Sequence, residues 1–173
     1  MKSKYLISIV GATGIGKTAL GIELAKYYKT EIISADSRQF YKEMTIGTAV
    51  PNKEELQEVY HHFIQDRSIF NDFNVGMFER DAILLLDKLF KNHDVVVMVG
   101  GSGLYVDAIL YGLDDFPDVA PEIRKQLKTD LQDKGIRSLQ DRLKVLDFES
   151  YIKIDVENKQ RLIRTLEICL GTG

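Results

Sequence analysis

Three short stretches carry side chains that can do chemistry. Gly11-Ala12-Thr13-Gly14-Ile15-Gly16-Lys17-Thr18 has the spacing G-x-x-x-x-G-K-[ST]. Glycines let such a turn point its backbone N–H groups inward at phosphate oxygens. A helix starting there adds partial positive charge at its N-terminus. Lys17 supplies a point charge, and the Thr18 hydroxyl is placed to ligate Mg2+. This pattern specifies phosphate or diphosphate binding without naming the ligand or the reaction. The second stretch, Ser34 to Pro51, reads SADSRQFYKEMTIGTAVP. Asp36 there ends a short apolar run and is followed by Ser37, Arg38 and Gln39. A carboxylate in that place can hold Mg2+ through water, accept a proton from a nucleophile, or cap the next helix. Lys17 and a bound metal would favour its ionised form. The third stretch, Gly100 to Tyr105, reads GGSGLY. Its glycines and the Ser102 hydroxyl suit either a second anion contact or a tight turn between strand and helix.

These residues need a scaffold that brings them to one edge. YLISIV (Tyr5 to Val10), EIISAD (Glu31 to Asp36) and DVVVMVGG (Asp94 to Gly101) have the β-branched runs of strands. The last is apolar on both faces, as a central parallel strand is. HHFIQ (His61 to Gln65) is a further strand candidate. Helical spacing runs through 17–28, through 77–92 with Phe78, Ala82, Leu85, Leu86, Leu89 and Phe90 on one stripe, and through 104–112. Strand and helix alternate, so the expected fold is α/β, a P-loop NTPase-like doubly wound parallel sheet. In such sheets ligands bind beyond the carboxyl ends of the strands, where all three chemical stretches fall. From Pro117 onward the pattern is helical only. One helix stops at Gly135, a second opens at Ser138, and a third ends at Gly171. The expected organisation is a core over 1–116, a helical insertion over 117–155, and a helix over 156–173 returning toward the core. The sheet has about four candidate strands, fewer than the five or six usual in this fold, and is expected to be incomplete on its C-terminal side.

Bulk properties bound the function classes. The 173 residues are 45% hydrophobic and 28% charged, a globular balance. The longest strongly apolar run, Val95 to Val99, is far too short to span a bilayer, so no membrane partner is expected. The single cysteine, Cys169, excludes an internal disulfide, suits the cytoplasm, and lies on an apolar helical face where packing is its expected role. His61 and His62 are adjacent and lack companion ligands, which argues against zinc. Residues 1–120 carry 12 Lys and Arg against 17 Asp and Glu, a net −5, and residues 121–173 carry 11 against 9, a net +2. The second part could lie along a phosphate backbone, or be an ordinary solvated helical surface. Phe40 or Tyr41, beside the polar tetrad, is expected to wall a pocket, with core packing as the alternative.

GATGIGKT, SADSRQFYKEMTIGTAVP, HHFIQD, GGSGLYVDAILYG and NKQRLIRTLE occur here in this order, and together they resemble the tRNA dimethylallyltransferases, also called tRNA isopentenyltransferases. The likeness covers residues 5–173 and implies an N-terminal fragment of a longer chain. It implies transfer of a dimethylallyl group from dimethylallyl diphosphate to N6 of the adenine 3′ of the anticodon, by a cytoplasmic monomer using Mg2+. By similarity Asp36 is the general base, with Lys17, Ser102 and Arg124 stabilising the departing diphosphate. Ser102 stands where the family usually has Thr; it keeps the hydroxyl. Residues 11–18 would hold diphosphate, with Thr18 toward the metal. Asp36, Ser37, Arg38 and Gln39, with Gln160, Arg161, Leu162, Ile163 and Arg164, would meet the tRNA anticodon stem–loop and its flipped base.

Other readings share parts of this pattern. A small-molecule kinase would use the same loop and sheet but leave the tetrad and the IGTA segment idle. An adenylate isopentenyltransferase would prenylate free AMP or ATP. A non-catalytic nucleotide-dependent switch or RNA-binding module would have little use for Asp36.

Overall fold

The computed structural model describes residues 3–113 and 119–172. These form two compact units, 1–113 and 114–173. The expected boundary at 116/117 lies outside the described residues. No helix among the described residues is long and apolar enough to cross a membrane.

The first unit contains β1 (Tyr5–Val10), α1 (Lys17–Tyr28), β2 (Ile32–Ser34), α2 (Lys53–Glu58), β3 (His61–His62), α3 (Val75–Asn92), β4 (Val95–Gly100) and α4 (Gly103–Tyr111). The strands form one parallel sheet in the order β1-β4-β2-β3. Successive side chains of β2 and β4 go to opposite faces, as strand geometry requires. Ile33, Val96 and Met98 face Phe78, Ala82, Leu86 and Leu89 of α3 and Val106 and Ile109 of α4. Ile32 and Val97 face Ile22 and Ala25 of α1 and Val59. Both faces are covered, which explains why β4 reads as an unbroken apolar run.

The third strand covers only His61–His62, not the whole of 61–65, because Phe63 and Gln65 have positive φ (60° and 48°) and turn the chain out of the sheet. Helix α2 was not expected. Asn52 accepts from the Glu55 N–H while the Glu55 carboxylate accepts from the Asn52 N–H, a capping box that stabilises a helix with no buried residue of its own.

Neither Phe40 nor Tyr41 walls the pocket described below. Phe40 is fully buried, with the rings of Phe73, Phe78 and Tyr105 centred 5.2–5.4 Å from its own. Tyr41 packs against the same cluster. Both follow the turn that carries the tetrad, and their direction is set by the aromatic core under α3.

The second unit holds α5 (Pro121–Leu146), α6 (Phe148–Lys153) and α7 (Lys159–Thr172). Gly135, at φ 75° and ψ 173°, breaks α5 where two separate helices were expected, and the Ser138 hydroxyl donates to the Gly135 carbonyl across that break. Asp147 caps α6 by accepting from the Ser150 N–H. Leu162, Ile163 and Leu166 of α7 bury against Leu127, Leu139 and Leu143 of α5. Helix α7 therefore packs within the helical unit. Gly171 does not end it. A Cβ there would lie 2.6 Å from the Val119 side chain, so glycine is what lets that residue pack. Cys169 is half-buried, with Sγ 3.8 Å from Asp147 Oδ2, and burial raises its thiol pKa, which suits packing rather than reactivity.

Candidate active site

Parallel pairing puts the carboxyl ends of β1, β2 and β4 side by side, and the three chemical stretches leave from those ends. The loop after β1 is shaped by Gly14 and Gly16, at φ 85° and 90°, conformations that side chains rarely adopt. Gly11 gives room for the Ile15 side chain, which a Cβ would meet at 2.7 Å. Helix α1 starts immediately afterwards, with the Leu20 N–H bonded to the Gly16 carbonyl. Lys17 Nζ donates to the Ala12 carbonyl at 2.6 Å, so the ammonium lies across the mouth of the loop. An anion seated there would offer Lys17 a stronger, charged acceptor.

The chain after β2 is held against the chain after β4 at very close range. The Ala35 N–H donates to the Val99 carbonyl at 2.8 Å. A Cβ on Gly100 would lie 2.4 Å from the Ala35 carbonyl oxygen, so only glycine fits. Ser102 stands at the N-cap of α4 without making a side-chain cap bond. Its hydroxyl instead accepts from the Ser37 N–H at 2.9 Å and pairs with the Ser37 hydroxyl at 3.0 Å. Ser102 and Ser37 therefore brace each other and fix the turn that carries Asp36.

Asp36 is half-buried. Its Oδ1 accepts from the Arg38 N–H at 3.0 Å, a local turn that sets the carboxylate's direction. Arg38 is exposed beside it. Gln39 has a different role from its neighbours. Its Oε1 accepts from the Ser34 hydroxyl at 3.1 Å, and its Nε2 donates to the carbonyls of Thr48 and Ala49 at 3.2 and 2.8 Å. Both amide hydrogens and the amide oxygen are thus engaged. The side chain ties the IGTA turn to β2. Thr48, 5% exposed, closes the same turn through its hydroxyl to the carbonyls of Met44 and Thr45.

A cavity of about 240 Å³ lies between these elements. Thr13, Gly14, Gly16, Lys17 and Thr18 line one side, with Asp36 and Gln39 on its wall. The rest is largely apolar: Ile32, Ala49, Pro51, Ile64 and Val99, with Glu55 and His61. The His61 Nδ1–H donates to the Val59 carbonyl at 2.8 Å, and burial lowers the ring's pKa, so the neutral imidazole is the favoured form. Ala49, Pro51, Ile64 and His61 were not anticipated as pocket residues. Their signal in the sequence was their place just after the tetrad and at the end of β3, at the ligand edge.

Hard oxygen donors for a metal are present. The Thr18 hydroxyl and the Asp36 carboxylate line the same cavity. No group of three or more His, Cys, Asp or Glu side chains that could hold a metal exists among the described residues. Mg2+ takes one or two protein oxygens together with substrate phosphates and water, so the donor set fits it.

In the second unit Gln160, Arg161 and Arg164 are exposed on α7, while Leu162 and Ile163 are 0% and 6% exposed. Side-chain contact through this segment falls to the three polar residues. The Asn158 carboxamide oxygen caps the helix by accepting from the N–H groups of Gln160 and Arg161. Arg124, in the first turns of α5, is about half exposed and pairs with Glu167 at 3.5 Å.

The model of the IPP transferase family matches residues 39–173. The chain is 61% identical to the tRNA dimethylallyltransferase of Christiangramia forsetii over 99% of its length, and 54% identical to that of Flavobacterium psychrophilum over 98%. It spans 57% of the length of each of these relatives. Among solved structures, the full-length tRNA isopentenylpyrophosphate transferase of Bacillus halodurans superposes with a TM-score of 0.61 at 36% identity, covering 99% of this chain and 57% of that one. A eukaryotic dimethylallyltransferase acting on tRNA gives a TM-score of 0.81 at 25% identity, covering 96% and 41%. The order of motifs, the parallel sheet and these matches agree: the chain belongs to the IPP transferase family.

Proposed function

We propose that this chain carries the donor site and the proton acceptor of a tRNA dimethylallyltransferase, which moves a dimethylallyl group from dimethylallyl diphosphate to N6 of the adenine 3′ of the anticodon. The observation that supports it best is the composition of one cavity. An anion loop with a lysine opens onto an apolar wall, and a half-buried carboxylate stands between them. A kinase donor site needs no apolar wall of that kind beside the loop.

The diphosphate binds to the backbone N–H groups of residues 11–18, and its charge draws the Lys17 ammonium from the Ala12 carbonyl. The five-carbon group lies toward Ile32, Ala49, Pro51, Ile64 and Val99, which keep water from the reacting carbon. As the allylic C–O bond breaks, negative charge grows on the leaving diphosphate, and Lys17 and the loop N–H groups stabilise it where it forms. Thr18 would hold Mg2+ together with the phosphates, and the ion would supply further charge neutralisation there. The adenine N6 bonds to the allylic carbon, and Asp36 takes the amine proton. Ser102 acts through Ser37 by fixing the Asp36 turn. Gln39 fixes the IGTA turn, and Ser37 and Arg38 meet the flipped nucleotide. Arg124, Gln160, Arg161 and Arg164 meet phosphate oxygens. The cytoplasm is the compartment and the monomer the working form.

Incubation with radiolabelled dimethylallyl diphosphate, Mg2+ and unmodified tRNA tests the proposal, with AMP and ATP as rival acceptors. Label in tRNA supports it. Label only in AMP or ATP assigns the chain to adenylate prenylation, and phosphoryl transfer from ATP without prenyl transfer rejects both.

A further inference from the structure

The second unit buries a carboxylate that the proposed chemistry does not use. Glu167, on the inner side of α7, is 5% exposed. A buried charge is costly unless it is paired. Two arginines pair with it: Arg164, three residues earlier on α7, at 3.4 Å, and Arg124, from the start of α5, at 3.5 Å. Both guanidinium groups approach the same atom, Oε2. The side chains of Arg124 and Arg164 are 52% and 47% exposed. Two arginines from distant parts of the chain would repel each other if brought together alone. A single carboxylate beneath them, shared by both, offsets that repulsion. Guanidinium groups carry five N–H donors in a fixed plane, so holding one nitrogen against Glu167 Oε2 restricts the direction of the others.

We propose that Glu167 is a positioning residue that holds Arg124 and Arg164 as one two-pronged clamp for phosphate oxygens. The inference rests on the reading above, in which both arginines meet phosphate. Those oxygens come from the RNA backbone or from the prenyl diphosphate, and the two arms of the test separate these sources.

An anticodon stem–loop RNA with a fluorescent label, and separately dimethylallyl diphosphate with Mg2+, are titrated into the wild type, Glu167→Gln, Arg124→Ala/Arg164→Ala, and the triple variant. Glu167→Gln should weaken one of the two ligands about tenfold, the scale of a hydrogen bond to a charged group. The ligand that responds identifies the phosphate source. In the Arg124→Ala/Arg164→Ala background the same change should add no further loss. Wild-type affinity of Glu167→Gln for both ligands overturns the inference, and so does a full loss that persists without the arginines. Thermal melts accompany each titration. If Glu167→Gln does not fold, Glu167→Asp, which keeps the charge on a shorter stem, takes its place under the same criteria. A wild type that binds neither ligand rejects the functional reading itself, a result seen before any variant is compared.

Discussion

Replacing Gln39 by alanine should release the IGTA turn from the sheet, and the cost can be worked from three hydrogen bonds. The Ser34 hydroxyl, on a residue 3% exposed, loses the Gln39 Oε1 acceptor at 3.1 Å. A polar group stranded at such a site costs about 1–2 kcal/mol. The carbonyls of Thr48 and Ala49 lose the Nε2 donor. They sit where water can reach the turn, and each loss is worth about 0.5 kcal/mol. The sum is about 2–3 kcal/mol, or a fall in Tm of about 4–12 °C for a chain of this size. Gln39→Glu keeps the shape and the Ser34 acceptor, but it points a carboxylate oxygen at two carbonyl oxygens, so it should melt at least as low. Calorimetry or circular dichroism melts of both variants give the comparison. A Gln39→Ala protein that melts within about 1 °C of the wild type yet loses RNA binding would refute the reasoning, because the amide would then be reading a base and not bracing a turn.

Gly100→Ala should destabilise the first unit by several kcal/mol or prevent folding, since the added methyl meets the backbone carbonyl of Ala35, its oxygen at 2.4 Å and its carbon at 2.6 Å; a soluble variant with a wild-type melt would contradict this. Lys17→Ala should abolish saturable binding of dimethylallyl diphosphate while leaving the Tm within about 2 °C, because the ammonium's hydrogen bond is to the exposed loop carbonyl of Ala12; unchanged binding by calorimetric titration would remove Lys17 from the site. The helical unit should weaken in acid. The Lys134 ammonium bonded to Asp130 holds that carboxyl below the usual carboxylate range, with Gln126 and Arg142 adding to it, and the Ser150 hydroxyl and N–H do the same for Asp147. A carboxyl with a lowered folded-state pKa contributes stability that is complete above its unfolded value and lost as pH falls through the folded one. Helicity at 222 nm should therefore hold down to about pH 4 and then fall, with a smaller fall in Asp130→Asn; an onset well above that pH, or an unchanged curve in the variant, would refute the assignment.

The parallel sheet was legible because its signals are strong and local. The run Val95–Val99 could only be a strand covered on both faces, and Gly11 to Thr18 marks a strand-to-helix turn by itself. Asp36, Lys17 and Thr18 meet in one cavity because all three follow the carboxyl ends of parallel strands in one sheet, which alternation of strand and helix already implies. What lay beyond reach depended on side-chain direction. Phe40 and Gln39 are adjacent, yet one turns into an aromatic core and the other spans to Thr48 and Ala49, and nothing in their spacing separates those fates. The Ser102 hydroxyl has an anion-binding look in GGSGLY, but its partner, Ser37, is 65 residues away in the chain. The short helix after Pro51 was announced only by the Asn52 and Glu55 capping pair. In the second unit the basic residues of QRLIR were visible, but the shared partner beneath Arg124 and Arg164 required α5 and α7 to be seen packed together.

In the proposed reaction one cavity holds the diphosphate and Asp36 takes the proton. Asp36→Asn separates the two roles, because the amide oxygen can still accept from the Arg38 N–H and keep the turn, while it cannot accept the amine proton as a base. Single-turnover transfer of label from dimethylallyl diphosphate to unmodified tRNA, with donor affinity measured on the same preparation, is the direct measurement. Donor affinity should stay within about twofold of the wild type while the transfer rate falls by about 10²–10⁴-fold. A rate that is unchanged, or a rate and an affinity that fall by the same factor, would contradict it.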